Sequence, residues 1–167
     1  EIDGAMAYAM VWLNGKLVGG WPYGYNSFQL DLTPYINFGG VNQLAIRLDN
    51  PPNSSRWYPG GGIYRNVWLL KVSPLHVAQW GTFIRARNVS ASSATIDLDV
   101  NIENNSVTDQ TTEVVTRIFA LDATFKKMGR PTATFSKSLL NIKAGEKKKI
   151  ANTVTITNPK LWGPLPA

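Results

Sequence analysis

The chain has 167 residues, with 17 Lys or Arg against 11 Asp or Glu, a formal net charge of +6 and no cysteine. Disulfides and thiolate metal sites are excluded, and the single histidine, His76, cannot build a multi-histidine zinc centre. No apolar run reaches the length of a membrane-spanning helix, which leaves one large domain or two small ones with no membrane span.

Strand and turn formers dominate. β-branched and aromatic residues are spread among 14 Gly and 10 Pro, and no window sustains a helical period, so an all-β protein is expected. The first residues, Glu1-Ile2-Asp3-Gly4, carry neither an initiator Met nor a signal peptide, and Leu161 to Ala167 end without a capping element. The chain reads as an excised piece of a longer one.

Ala7 to Leu13 form an apolar run of strand length, and Asn14-Gly15 is a strong hairpin signal that returns the chain along Lys16 to Trp21. Apolar residues on both faces of that first strand predict cover on both sides. Residues 22–26 make an exposed loop and Ser27 to Leu32 a further strand. Thr33 is expected to cap a short helical turn beginning at Pro34 and reaching Ile36, ended by Gly39-Gly40. Gln43 to Asp49 reads as a strand, Asn50 to Ser55 as a loop, and Ile63 to Val72 as a strand fed by a glycine-rich loop.

Pro74 marks the expected domain boundary, giving domains 1–73 and 74–167. Beyond it, Ile96, Leu98, Val100 and Ile102 alternate with Asp97, Asp99, Asn101 and Glu103, a period of two with one buried and one wet face. Further strands are expected near 76–88, 113–121, 132–140 and 148–157, with a turn at 144–146, a pattern that fits an immunoglobulin-like sandwich. The basic excess lies mainly in this half, at hairpin tips carrying Lys126, Lys127, Arg130 and Lys147 to Lys149. These read as solvated turns that oppose edge aggregation, in preference to a nucleic-acid surface. His76 lacks a Ser or carboxylate at triad spacing and reads as structural. Trp12, Trp68 and Trp80 fall in strand patterns and are expected in the core. Asn53-Ser54-Ser55, Asn88-Val89-Ser90 and Asn104-Asn105-Ser106 match the short glycan-acceptor pattern.

The segment Arg56-Trp57-Tyr58-Pro59-Gly60-Gly61-Gly62-Ile63-Tyr64-Arg65-Asn66-Val67-Trp68-Leu69 runs a polar aromatic loop through consecutive glycines into a strand. Ordering such glycines costs backbone entropy, which is justified where something approaches the backbone closely. A phosphate-binding reading fails, since no helix follows and no Lys-Ser/Thr ends the run.

Taken in order, Val11 to Gly19, Pro22-Tyr23-Gly24-Tyr25, Phe28, Asp31 to Ile36, Asn42 to Asn50 and Arg56 to Leu69 resemble the C-terminal half of the jelly-roll sugar-binding domain of glycoside hydrolase family 2. That is the family of β-galactosidases, β-glucuronidases and β-mannosidases. The second half, including Asn158-Pro159-Lys160-Leu161-Trp162, resembles the immunoglobulin-like domain that follows in those enzymes. The resemblance implies a partial jelly-roll β-sandwich followed by an immunoglobulin-like β-sandwich.

The family's catalytic (β/α) barrel, with its acid/base and nucleophile glutamates, has no counterpart here. Glu1, Glu103, Glu113 and Glu146 include no Asn-Glu dipeptide and no evident pair, whereas a retaining glycosidase holds two carboxyl groups about 5 Å apart. The resemblance therefore implies a non-catalytic piece, inert alone, that walls the active site of the barrel in a parent cleaving terminal β-glycosides. The jelly roll also starts midway, which implies unpaired edges and a possible homo-oligomer or swap.

For Tyr23, Gly24 and Tyr25 two readings stand: a loop tip reaching a sugar pocket, or an ordinary tyrosine-rich hairpin loop. For Arg56, Trp57, Tyr58 and Arg65 an interdomain role against the barrel is favoured over direct sugar contact, the arginines donating to barrel carboxylates or carbonyls. No cofactor is expected. No metal is expected either, because the loop lacks the acidic residue that some β-galactosidases place there. Other readings of the whole chain are an autonomous carbohydrate-binding module and a cell-surface adhesion sandwich pair. The location stays open between a bacterial periplasmic or secreted compartment and the cytoplasm.

Overall fold

A computed structural model describes residues 1–53 and 60–163. The chain divides into two compact units, Glu1–Lys71 and Val72–Ala167. Each is built from antiparallel sheets, and no helix among the described residues is long and apolar enough to cross a membrane.

In the first unit, strand β1 spans Ala5–Met6, β2 Ala9–Leu13, β3 Lys16–Trp21, β4 Leu44–Arg47 and β5 Gly62–Ile63. β2 lies between β3 and β4, and β1 pairs with β5. The hairpin joining β2 to β3 follows from Asn14 and Gly15, whose φ angles of 53° and 77° match the twist of the flanking strands. Asn14 does more than turn the chain. Its Nδ2 donates to the Tyr35 carbonyl at 3.0 Å and to Asn42 Oδ1 at 2.8 Å, while its Oδ1 accepts from the Gln43 amide at 3.0 Å. The hairpin tip is thus fastened to the loop that delivers β4.

Ala9, Val11 and Leu13 are buried on one face of β2, and the core around them includes Ile2, Ala5 and Phe28 with Leu30, Ile46 and Leu48 at its margin. The other face is not covered as expected: Met10 is exposed and Trp12 only half-buried. Ser27 to Leu32 also departs from a strand. Phe28 makes a single bridge to Ile2, exchanging backbone hydrogen bonds of 2.9 and 3.0 Å. By Leu32 the backbone has already turned helical, so Leu32 rather than Thr33 precedes the 3-10 turn Thr33–Tyr35. Asp31 Oδ1 accepts the Thr33 amide at 2.9 Å, satisfying the first free amide of the turn.

The expected strand over 63–72 is shorter and irregular. Its pairing with the N-terminus runs from Met6 opposite Gly62 and Ala5 opposite Ile63 to a bridge between Ile2 and Val67, so Arg65 is an inserted residue. Trp68 nonetheless exchanges bonds with Glu1, its amide donating to the Glu1 carbonyl at 2.8 Å.

The second unit holds β6 (Leu75–Arg87), β7 (Ser93–Asn104), β8 (Gln110–Val114), β9 (Arg117–Leu121), β10 (Lys127–Thr134), β11 (Ser138–Ile142) and β12 (Lys147–Thr157). Residues 113–121 and 132–140, each expected as one strand, are divided. Val114 ends β8 before β9 begins at Arg117, and Phe135 separates β10 from β11 with its ring buried. β7 is central between β6 and β12, while β8 pairs with β11 and β9 with β10. Leu98, Val100 and Ile102 of β7 meet Phe135, Leu140 and Ile142 in the core, with Ile150 and Val154 of β12 packed at its edge. The period of two thus buries one face of the sheet, as the alternation requires.

Trp80 is an exception. β6 bulges between Val77 and Thr82, Trp80 adopts φ 49°, and its side chain is 63% exposed. Trp68 is exposed as well, its indole donating to Asp3 Oδ2 at 2.8 Å, so neither is a core residue.

The wet face of this sheet is laced by cross-strand ion pairs. Lys147 meets Glu103 at 2.7 Å, Lys149 meets Asp99 at 2.7 Å, and Arg87 and Arg85 meet Asp97 at 2.6 and 3.1 Å. The Arg87 guanidinium, then the Thr153 hydroxyl and Arg85, hold the Asp97 carboxyl far below its ordinary 3.8; Lys147 does the same, less strongly, for Glu103. Depressed carboxylate values mean that stability is present above the unfolded-state pKa and lost as pH falls through the folded one. Thermal unfolding followed from pH 7 downward should give a flat Tm until about pH 4.5 and a decline below it. A Tm that rises between pH 4 and 3 would contradict these pairings.

Candidate functional site

The residue inserted at Arg65 shapes the site. It faces Gly4, where a Cβ would lie 2.8 Å from the Tyr64 ring and 3.0 Å from Arg65 Cδ, so any larger residue there would displace these two side chains. From this bulge Tyr64 reaches the 22–26 loop, and its hydroxyl donates to the Gly24 carbonyl at 2.9 Å. Arg65 Nη1 donates to the Tyr25 carbonyl at 3.4 Å and its guanidinium lies 5.2 Å from the Tyr64 ring centroid.

Gly24 is buried against Met6: a Cβ there would come within 2.6 Å of the sulfur and 3.1 Å of the Met6 Cα. Its flanking tyrosines point their faces elsewhere. Tyr23 and Tyr25 pack edge to face with centroids 5.5 Å apart, and Tyr25 meets Tyr64 in the same manner at 6.4 Å. All three rings stay substantially exposed, at 56, 38 and 48%. The result is an aromatic cluster held both by edge-to-face ring packing and by the bonds of Tyr64 and Arg65 to the loop's backbone carbonyls. Beside it, Asp3 accepts from the Trp68 indole and from Ser27 Oγ, at 2.8 and 3.5 Å.

Of the residues singled out from sequence, Tyr23, Gly24, Tyr25 and Arg65 come together here, although they lie in two segments. Arg56, Trp57 and Tyr58 fall outside the described residues. Gly62 requires its glycine for conformation, with φ 133°, while a Cβ at Gly60 would meet nothing within 4 Å. Sequence reasoning passed over Tyr64, which ties the two segments, and Met6 and Asp3, which support them. Tyr64 was findable as the neighbour of Arg65 in the same motif; Met6 and Asp3 carry no local signal.

Three of the four glutamates have other work. Glu103 and Glu113 are paired with Lys147 and Lys137, at 2.7 and 3.1 Å, and Glu146 Oε2 accepts the Lys143 amide at 2.8 Å. His76 sits 3.8 Å from Glu103 on the edge of the sheet, its Nδ1 3.4 Å from the Pro74 carbonyl.

Residues 76–166 match the family model described as Glycosyl hydrolases family 2. The chain belongs to that family. Over 164 residues it is 40% identical to beta-galactosidase BoGH2A of Bacteroides ovatus, an alignment covering 97% of this chain and 18% of that enzyme. It is 31% identical over 183 residues to a beta-glucuronidase of Formosa agariphila, covering 97% of this chain and 18% of the other. Among solved structures, a glycosyl hydrolase family 2 member from Bacteroides cellulosilyticus superposes with a TM-score of 0.86 at 31% identity, covering 96% of this chain and 21% of that one. The chain therefore spans about a fifth of the length of the family 2 proteins it matches. Its all-β sandwich architecture is that of family 2 domains.

Proposed function

We propose that this family 2 chain is a non-catalytic part of a retaining β-glycosidase of β-galactosidase type, and that its aromatic cluster forms one wall of a substrate site completed elsewhere in the longer protein. Residues 1–73 correspond in this reading to the C-terminal half of the sugar-binding jelly roll and 74–167 to the immunoglobulin-like sandwich. The observation that carries it is the anchoring of the Tyr23-Gly24-Tyr25 loop by Tyr64 and Arg65. Exposed aromatic faces with hydroxyl tips suit a sugar, which offers CH surfaces for stacking and OH groups for hydrogen bonds. The 40% identity to a beta-galactosidase across nearly all of this chain favours a galactoside.

The parent would act by double displacement through two carboxyl groups that this chain does not supply, Glu103 and Glu113 being held in ion pairs and Glu146 in a turn. A site with one wall loses enclosure and most of its polar contacts, so the isolated chain binds sugar poorly and turns nothing over. Nitrophenyl β-galactoside, β-glucuronide and β-mannoside are the test substrates. The 167-residue chain should leave all three intact, whereas the longer gene product should hydrolyse the galactoside best. Within that product, Tyr25→Ala and Arg65→Ala should each lower kcat/KM about tenfold or more. Unchanged kcat/KM in both would remove the loop from the substrate site, and a longer product inert on all three glycosides would remove the activity.

A further inference from the structure

The wet face of the β6-β7-β12 sheet contains a shallow groove of about 420 Å³, within the roughly 300–1,000 Å³ range of small-ligand clefts. Its shape follows from the register. Asp99 lies opposite Phe83 on one side and Ala151 on the other, and Asp97 lies opposite Arg85 and Thr153. Ala151 offers only a methyl group between the longer side chains of Lys149 and Thr153, so the surface drops there. Phe83 stands at the opposite wall with 63% of its surface exposed.

The floor is polar and fixed. Asp97 Oδ2 takes Arg87 and Arg85, its Oδ1 accepts the Thr153 hydroxyl at 2.9 Å, and Lys149 engages Asp99 Oδ2. Each carboxylate has about four acceptor sites, so both keep capacity for further donors after these bonds are made. Ion pairs across three strands hold those acceptors in place before any ligand arrives, which lowers the ordering cost of binding.

We propose that this groove is a second carbohydrate site, taking a neutral oligosaccharide whose CH face stacks on Phe83 while its hydroxyls donate to Asp97 and Asp99. The choice of sugar as the ligand class rests on the carbohydrate reading given above; the site itself lies wholly within the second unit and uses none of the tyrosine loop. Arg85, Arg87 and Lys149 are already engaged by Asp97 and Asp99, so what the groove has left to offer is acceptor capacity, which suits the hydroxyl donors of a neutral chain better than the anion of a uronate or sulfated glycan.

Amide NMR of the 167-residue chain, titrated with neutral gluco-, galacto- and manno-hexaoses into the millimolar range, tests this. The amides of Phe83, Arg85, Asp97, Asp99, Ala151 and Thr153 should shift together with at least one hexaose. Phe83→Ala should weaken that binding about tenfold, the size of one lost stacking contact, and Phe83→Trp should restore it. Because the ring is exposed, neither variant threatens the fold. No movement at these amides with any hexaose overturns the proposal, as does binding that survives Phe83→Ala unchanged. Shifts confined to residues 23–25 and 64–65 would also overturn it while leaving the tyrosine loop as a sugar contact.

Discussion

Replacing Asn104 with alanine is expected to cost about 3 kcal/mol of unfolding free energy, a large share of a small domain's stability. The residue has no exposed surface, yet every polar atom of its side chain is engaged. Nδ2 donates to the carbonyls of Thr108, Ile142 and Lys143 at 2.8, 3.1 and 3.0 Å, and Oδ1 accepts the Ser106 amide and hydroxyl at 3.1 and 2.6 Å. One side chain thus ties the end of β7 to the following loop and to the end of β11. Alanine would strand several of these groups away from water, and each buried orphan costs more than the bond it lost was worth. Asn104→Asp should be worse than alanine, because it brings an anion up to three carbonyl oxygens. Urea unfolding of both variants, with exposed Asn105→Ala as a control, checks the ranking. A loss below about 1 kcal/mol for Asn104→Ala would show that water replaces the amide.

The second large effect is expected at Gly20, where alanine should cost about 3 kcal/mol or disrupt the β2-β3 hairpin. A methyl group there would run into the Ala9 carbonyl oxygen, and it would sit 3.2 Å from the Met10 Cα. Both obstacles are backbone atoms of the paired strand. They cannot rotate aside as a side chain would, so the strands must separate or the register must slip. Gly15→Ala is the informative comparison: nothing lies within 4 Å of its Cβ, but φ of 77° makes the substitution strained by roughly 1–2 kcal/mol. Gly60→Ala should be near neutral. If thermal unfolding ranks Gly15→Ala as more damaging than Gly20→Ala, steric contact is not what fixes the glycine at 20.

Asn104 also shows where local pattern misleads. Asn104-Asn105-Ser106 reads as a glycan acceptor by spacing, but the acceptor amide is buried and donates to three carbonyls, so the fold withholds that amide from modification. The same limit appears at Trp80. Its place in a strand pattern suggested the core, and a bulge in β6, invisible to a period-of-two reading, turned it to solvent.

What the sequence determined by itself is whatever depends on neighbours within a few residues. Asn14-Gly15 fixes a hairpin because both residues tolerate positive φ, and Ile96 to Ile102 fix a one-sided strand because alternate side chains point to opposite faces. The family was legible for a related reason: several such local motifs follow one another in order. Tertiary structure alone decided how distant segments meet. Whether Ser27 to Leu32 forms a ladder depends on what lies beside it, and Phe28 found only Ile2. Tyr64 and Arg65 reached Gly24 and Tyr25 because a bulge against Gly4 aims them there, across some forty residues of chain. The groove beside Phe83 likewise exists because Ala151 and Asp99 fall in one register row, a coincidence of pairing that no single strand encodes.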